Sequence, residues 1–555
     1  MILRRRSFFS ARWTWIMGPI IAVVAYFYGL GSMYIPGIGE EDLYLQICRT
    51  TGASHHWLPL LSERGISNTR PPMLFWQGIL STNWGLDWSP ALLRFPTVCF
   101  SLLTAAMAGW LAFRISQRRR VAVIAALIYL GFMSTIQQGR PFLANAPETF
   151  FLFAPLVLLF YRPILRPRTI AVCGLLLGAA ALYSSIFIVG VGCWALALIY
   201  FWKSGFNAGA FLRHHLWPIA IVGTIGLAIF CLWPAFDPHP GQIVRQFLIK
   251  ENAGKFHPAI WFAGLFSGKY PLWRIWLGNF ANAGLYAPLL AALLIDLIRR
   301  RRKLPGVEKL LWIYILAFLT IYSFPMQRQE NFLMPTCAAL AVLLALRWDD
   351  LPNAWFRISS GIVLAAGCVV FWFKSGINHS TGESLFDPVS FLPAMIVAVI
   401  GSIGVIRASF AQRFFPISVL LVLLAGSEFL RPFSHPYPAG ACRMLENKAV
   451  YFPRNYRAAE EKFRFILPGA DVRGYPVRPA LAIPGDATFA AIYLNAFDPA
   501  PEGWRKIDSV WALRSRHTMK EVGRMLFDRR FDLLAQRLVI CERVYPDRAS
   551  MAVFP

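Results

Sequence analysis

A train of apolar runs, each near the length of a bilayer and separated by short polar gaps, constrains this chain more than anything else in it. The runs stand at 13–35, 90–113, 120–137, 146–161, 169–184, 186–202, 215–234, 278–298, 309–325, 331–347, 357–373, 388–406 and 413–430. A helix needs about 20 apolar residues to cross the hydrocarbon core, and about 17 at the lower limit, which gives about thirteen spans. Inside lipid the backbone has no water to bond, so the runs must be helical. Composition agrees: 57% of the 555 residues are hydrophobic, and 20 Trp and 45 Phe supply lipid-facing and interfacial surface. The chain is therefore predicted to be a polytopic α-helical membrane protein.

The net charge of +26 would suggest nucleic acid in a soluble protein. Here the cations gather between the apolar runs, which points to membrane topology and anionic lipid instead. Arg4-Arg5-Arg6, Arg114 with Arg118 to Arg120, Arg162 with Arg166 and Arg168, Lys203 with Arg213, Arg299 to Lys303, and Arg407 with Arg413 occupy roughly every second gap. The positive-inside rule makes these gaps and the N-terminus cytoplasmic. The gaps 36–88 and 235–277, and everything after about 430, then lie outside. The first run is too long for a signal-peptide core and lacks a small-residue cleavage site, so it is expected to be an uncleaved anchor.

From 435 to 555 the composition becomes charged. Short apolar stretches at Ala449-Val450-Tyr451 and Leu538-Val539-Ile540, with a helical pattern from Thr518 to Phe531, predict a small extracytoplasmic α/β domain. The domains are thus 1–434, transmembrane, and 435–555, exported. Cys99, Cys173, Cys193, Cys231, Cys337 and Cys368 fall in spans as small apolar filler. Cys442 and Cys541 both fall in the exported part, where a disulfide is one reading. Neither His55-His56 nor His214-His215 has the partners of a zinc site.

Chemistry is left to the outer gaps. The first carries Glu40-Glu41-Asp42-Leu43-Tyr44 and then Asn68-Thr69-Arg70-Pro71-Pro72. Carboxylates are costly beside a bilayer and persist where chemistry or ion binding requires them. Leu43, Ile47, Trp57, Leu58, Leu60 and Leu61 mark the apolar side of a helix lying in the interface. Two readings of the acids stay open. They favour a helix start through its dipole, or one of them is a general base for an acceptor hydroxyl, with Glu40 and Glu41 the pair for any divalent cation. Arg70, disfavoured from helix by Pro71, can offer a fork to a phosphate; the alternative is a cation snorkelling at the interface. Arg94 poses the same choice.

On these residues the chain resembles the bacterial GT-C integral-membrane glycosyltransferases that place aminoarabinose or galacturonic acid on lipid A, which are related to protein O-mannosyltransferases. That family carries an Asp-Glu pair, a Tyr three residues after the Glu, then Lys-Pro-Pro and an aromatic. Alignment on Tyr44 sets Glu40 and Glu41 at the acidic pair, Arg70 at the lysine and Trp76 at the aromatic. The family's next element, an outer Arg followed by Asp and Pro, is similar to Arg140 with Asn145, Ala146 and Pro147. Glu148 stands close enough to supply the missing charge, and an N-cap is the local alternative for Asn145. Glu251 to Phe256 is similar to an acidic-His-x-x-Arg-Phe stretch, with Asn252 for His and Lys255 for Arg. Arg328, Gln329 and the run to Pro335 are similar to a basic-x-x-aromatic-Leu-x-Pro motif. Tyr183-Ser184-Ser185 stands where relatives often carry Lys-Gly.

The resemblance implies a GT-C fold with about 13 transmembrane helices, acting as a monomer in the bacterial inner membrane with its site facing the periplasm. It implies a polyprenyl-phosphate sugar donor, an inverting displacement, and a lipid or glycolipid acceptor such as lipid A, with no nucleic-acid partner. The base then comes from Glu40, Glu41 and Asp42, and the donor phosphate is met by Arg70, Lys255 and Arg328. Tyr44, Arg94, Arg140, Asn145, Glu148, Glu251 and Gln329 contact substrate. No Gly-rich phosphate loop is present, which fits a lipid-linked donor. A protein O-glycosyltransferase would use the same gaps. A transporter would place ionisable groups mid-span and show repeated halves.

Overall fold

The structure, a computed structural model, describes residues 11–35, 40–161, 165–252, 265–266, 270–300, 304–477, 482–495, 498–514 and 518–544. Each apolar run singled out above holds a helix, the first only as far as Phe27, but among the described residues six helices, or seven with one bent pair, are long and apolar enough to cross a membrane, against the about thirteen spans expected. Pro90–Ser116, Leu216–Phe236, Gly278–Arg300, Asn353–Thr381, Pro388–Ile406 and Ala408–Ser434 are long and apolar enough to cross a membrane. Ile16–Phe27, Asn145–Phe160, Pro167–Tyr183, Phe187–Lys203 and Glu330–Leu346 are shorter apolar helices. Arg119–Gly131 and Met133–Gly139 form one bent unit of 63°. The bend lies at Phe132, whose extended backbone (φ −65°, ψ 138°) interrupts the i→i−4 ladder.

Helices that cannot use the hydrophobic effect against lipid pack by close backbone approach at small residues. Asn353–Thr381 and Leu392–Ile406 do so: a Cβ on Gly401 would lie 2.6 Å from the Leu364 nitrogen. The elements that frame the outer gap are α1 (Ala11–Phe27), α2 (Glu41–Ala53), α3 (Met73–Ser81) and α4 (Pro90–Ser116). Between α2 and α3 lie two-residue strands β1 (Leu61–Ser62) and β2 (Gly65–Ile66), paired antiparallel. α2 buries Leu45, Ile47 and Cys48, so the gap is a packed unit rather than a loose loop.

The C-terminal part folds as a mixed sheet of β3 (Ala449–Arg454), β4 (Asp471–Pro476), β5 (Phe489–Leu494), β6 (Trp504–Leu513) and β7 (Ala535–Arg543). Its order is β4-β3-β5-β7-β6, with β3 parallel to β4 and β5 and the remaining pairs antiparallel. The helix expected from Thr518 runs Met519–Phe527 and opens on a full capping box between Thr518 and Glu521. Cys442 and Cys541 are both free thiols, so the disulfide reading does not hold here.

This sheet is pinned onto α2 by a four-residue ion-pair network. Glu461, fully buried, receives Arg49 Nε at 2.6 Å and Arg464 Nε at 3.2 Å. Glu63 closes the square at 2.8 Å from Arg49 and 3.3 Å from Arg464. Removing one partner of a buried pair strands the others at a cost of about 3 kcal/mol. Glu461→Ala should therefore lower the unfolding midpoint in detergent by an amount of that order, whereas the more exposed Glu63→Ala should cost under about 1 kcal/mol. Equal effects would contradict the network as the fastening.

Candidate functional site

The site forms where the chain turns into α2. Glu40 is the N-cap residue, with φ −101° and ψ 40°, and its carboxylate makes no capping bond. That carboxylate is directed elsewhere: Oε2 lies 3.6 Å from Arg70 Nη2, and Oε1 accepts from the Tyr456 hydroxyl at 3.1 Å. Both ion-pair partners remain about a third exposed, at 35% for Arg70 and 28% for Glu40. Tyr44 follows one helical turn later, on the same face as Glu40. Tyr44, Glu40 and Glu251 together hold the Arg70 guanidinium above its usual range, against burial. Burial pushes the Tyr44 phenol up while Arg70 pulls it back.

Glu41 has a different setting. Arg94 grips it bidentately, Nε to Oε1 at 2.8 Å and Nη2 to Oε2 at 3.0 Å, and the Phe142 amide donates to Oε1 at 2.7 Å. The other Arg94 nitrogen donates to the carbonyls of Leu30 and Ser32 at 2.8 and 2.6 Å. Glu41 is thus saturated by a buried fork, and the fork is saturated in turn. Asp42 is third in the run. Burial pushes its carboxyl up from 3.8 to about 6, with Lys462 opposing and Glu41 adding.

Two further arginines fasten backbone. Arg140, fully buried, donates to the Tyr26 and Tyr28 carbonyls at 3.2 and 2.6 Å and to Ser427 Oγ at 3.1 Å, which ties the end of α1 to Ala408–Leu430. Arg328 is also buried and donates to the carbonyls of Ser323 and Tyr270 at 2.9 and 3.2 Å. Gln329 reaches the Tyr270 hydroxyl at 3.3 Å. Asn145 opens its helix, and Glu148 lies buried in the first turn beside Ser184. Glu251 and Asn252 end a π-helix, Val244–Asn252, a rare form often found at functional sites. Asn252 accepts from Ser185 Oγ at 2.7 Å. Lys255 lies outside the described residues.

An apolar cavity of about 1070 Å³ begins three residues after Arg70. Met73, Trp76, Leu80, Leu92, Phe95, Phe100, Tyr183 and Phe236 line it, with Gln77 as a polar member. Trp57 and Trp76 meet edge to face at 6.1 Å at this wall. Pro72 is the N-cap residue of α3, so the Pro-Pro turn sets both Arg70 and the lining helix in place. Among the described residues no group of three His, Cys, Asp or Glu side chains could hold a metal ion. Glu40 and Glu41 are turned to different arginines.

Tyr456, Lys462 and Gln77 are members that sequence reasoning missed. Tyr456 and Lys462 reach α2 from the far end of the chain, and no local pattern marks them.

The fold is that of a GT-C membrane glycosyltransferase. Among solved proteins it is similar to ArnT from Cupriavidus metallidurans bound to undecaprenyl phosphate, at TM-score 0.59 and 16% identity over 83% of this chain and 85% of that one. The apo state of ArnT matches at TM-score 0.55, 16% identity, over 83% of this chain and 86% of that one. No family model matches the chain, and no curated protein matches it.

Asp42 supplies a pH test of the packing at the start of α2. The folded state binds its proton more tightly than the unfolded chain does. Its stabilising contribution is therefore complete below the ordinary value of 3.8 and lost as pH rises through about 6. Asp42→Asn should flatten the fall of the unfolding midpoint across that window. An unchanged slope would contradict the burial of this group.

Proposed function

We propose that this protein moves a sugar from a polyprenyl-phosphate donor, undecaprenyl-linked, to an acceptor hydroxyl or phosphate on lipid A or another envelope glycolipid. The observation that carries this reading is the Glu40–Arg70 pair, 3.6 Å apart, from which the chain runs within three residues into the lining of an apolar groove of about 1070 Å³. An ionised base and a phosphate-binding fork belong to the two ends of one displacement. The groove suits an isoprenoid chain, and ArnT, which shares the fold, was solved with undecaprenyl phosphate.

In the proposed reaction Glu40 takes the proton of the acceptor hydroxyl. The acceptor oxygen forms its bond to the anomeric carbon as the bond from that carbon to the phosphate oxygen breaks, inverting the centre. The electron pair leaves on the polyprenyl phosphate, whose growing charge Arg70 meets in a setting of reduced dielectric. Lys255 is a further candidate for that phosphate. Arg94 and Arg140 act in this reading as fasteners of the backbone around the site, since their donors are engaged by carbonyls and by Glu41 and Ser427. Arg328, besides its two carbonyl bonds, stays a second cation for the donor phosphate. Glu41 keeps the start of α2 in register. Tyr44 and Glu251 set the charge around Arg70.

About thirteen crossings from a cytoplasmic N-terminus put the 435–555 domain and the 36–88 gap on the same, periplasmic, face of the inner membrane. Gly503→Cys should then react with an impermeant maleimide in intact spheroplasts, and Arg301→Cys should not. The reverse pattern would place the acids in the cytoplasm and end the reading.

Transfer of labelled sugar from an undecaprenyl-phosphate donor by the purified protein tests the chemistry. Glu40→Gln should lose on the order of 100-fold in turnover with its fold intact. Glu41→Gln should instead lower the amount of folded protein, because it unbalances the buried Arg94. Wild-type turnover in Glu40→Gln would sink the assignment. Label found in the protein fraction rather than the lipid fraction would move the acceptor to a polypeptide.

A further inference from the structure

We infer that Tyr456, carried by the C-terminal sheet, is a positioning residue of this site that sets the orientation of the Glu40 carboxylate. The inference rests on the reading of Glu40 as the base.

The two carboxylate oxygens of Glu40 are divided between two partners. Arg70 takes Oε2 from the gap's own chain, and Tyr456 donates to Oε1 at 3.1 Å across 416 residues of sequence. A carboxylate held on both oxygens has its plane fixed, and the lone pairs left over point in one direction. A general base works through that direction before it works through its basicity.

The turn that presents Tyr456 is built for rigidity. It leaves the end of β3, and the Ala459 amide closes it on the Tyr456 carbonyl at 3.2 Å. Ala458 is held at φ +53°, a left-handed conformation that an L-residue with a Cβ adopts at a cost. Such strain persists where the surroundings over-determine it, and it concentrates at working sites. Here the surroundings are visible. Arg454 Nη1 lies 3.5 Å from the buried Glu460 on one side of the turn, and Glu461 is clamped by Arg49 and Arg464 on the other. The fastening of the sheet onto α2 therefore reaches the base through one short turn.

The test uses the full-length protein and steady-state transfer. Tyr456→Phe removes the hydroxyl and keeps the ring. It should lower kcat about tenfold, the scale of one hydrogen bond to a charged group, with the donor KM and the unfolding midpoint unchanged. Glu40→Asp draws the carboxylate back by one methylene, out of reach of the phenol. In that background Tyr456→Phe should change kcat by less than about twofold, because the coupling is gone. Full activity of Tyr456→Phe, an equal loss in both backgrounds, or a loss tracked by a lower midpoint would each overturn the inference. The two levels separate cleanly. If Glu40→Gln is inactive while Tyr456→Phe is fully active, only the positioning role fails. If Glu40→Gln stays active, the assignment of the base fails and takes this inference with it.

Discussion

The fork of Arg94 on Glu41 is the interaction on which the site depends. One guanidinium joins the first acid of α2 to the carbonyls of Leu30 and Ser32 after α1, from a position inside α4. The same carboxylate receives the Phe142 amide from the bend that follows Met133–Gly139. A buried charge pair is rarely worth much against an apolar replacement, but losing one partner is costly, so the pair fixes geometry more than it adds stability. What it fixes is the place where α2 begins, and hence where Glu40 stands.

Chemically similar residues in this protein divide by environment. Arg94 and Arg140 are buried on backbone carbonyls and side-chain oxygens. Arg70 keeps a third of its side chain exposed and faces Glu40 at the looser distance of 3.6 Å. A guanidinium with its donors engaged by carbonyls has little left for a phosphate, whereas a loosely paired one can exchange partners as charge moves. The acids divide the same way. Glu41 is saturated, Asp42 is raised by burial, and Glu40 is held on both oxygens while remaining open to solvent.

Much of the architecture is legible in the sequence because it is local. Apolar run length marks the helices, short apolar stretches at Ala449-Val450-Tyr451 and Leu538-Val539-Ile540 mark β3 and β7, and Thr518 with Glu521 announces its helix by a capping box. The acid cluster and the Arg-Pro-Pro turn stand out for the same reason. What the sequence hides are pairings over long separations. Which of three adjacent acids faces Arg70 depends on Arg94, 53 residues away, taking Glu41. That Tyr456 reaches Glu40 depends on how the C-terminal sheet docks, which no periodicity encodes. The break at Phe132 is hidden too, since an apolar residue with extended backbone reads as helix by composition alone.

The proposed reaction requires a polyprenyl phosphate with its chain in the groove of Met73, Trp76 and Phe100 and its phosphate on Arg70. Equilibrium binding of undecaprenyl phosphate to the purified protein in nanodiscs, read by native mass spectrometry, tests this most directly. The wild-type protein should retain the lipid, and Arg70→Ala should weaken it by about tenfold or more, the worth of one charge-assisted fork. Binding of equal strength in both proteins, or none in the wild type, would contradict the account.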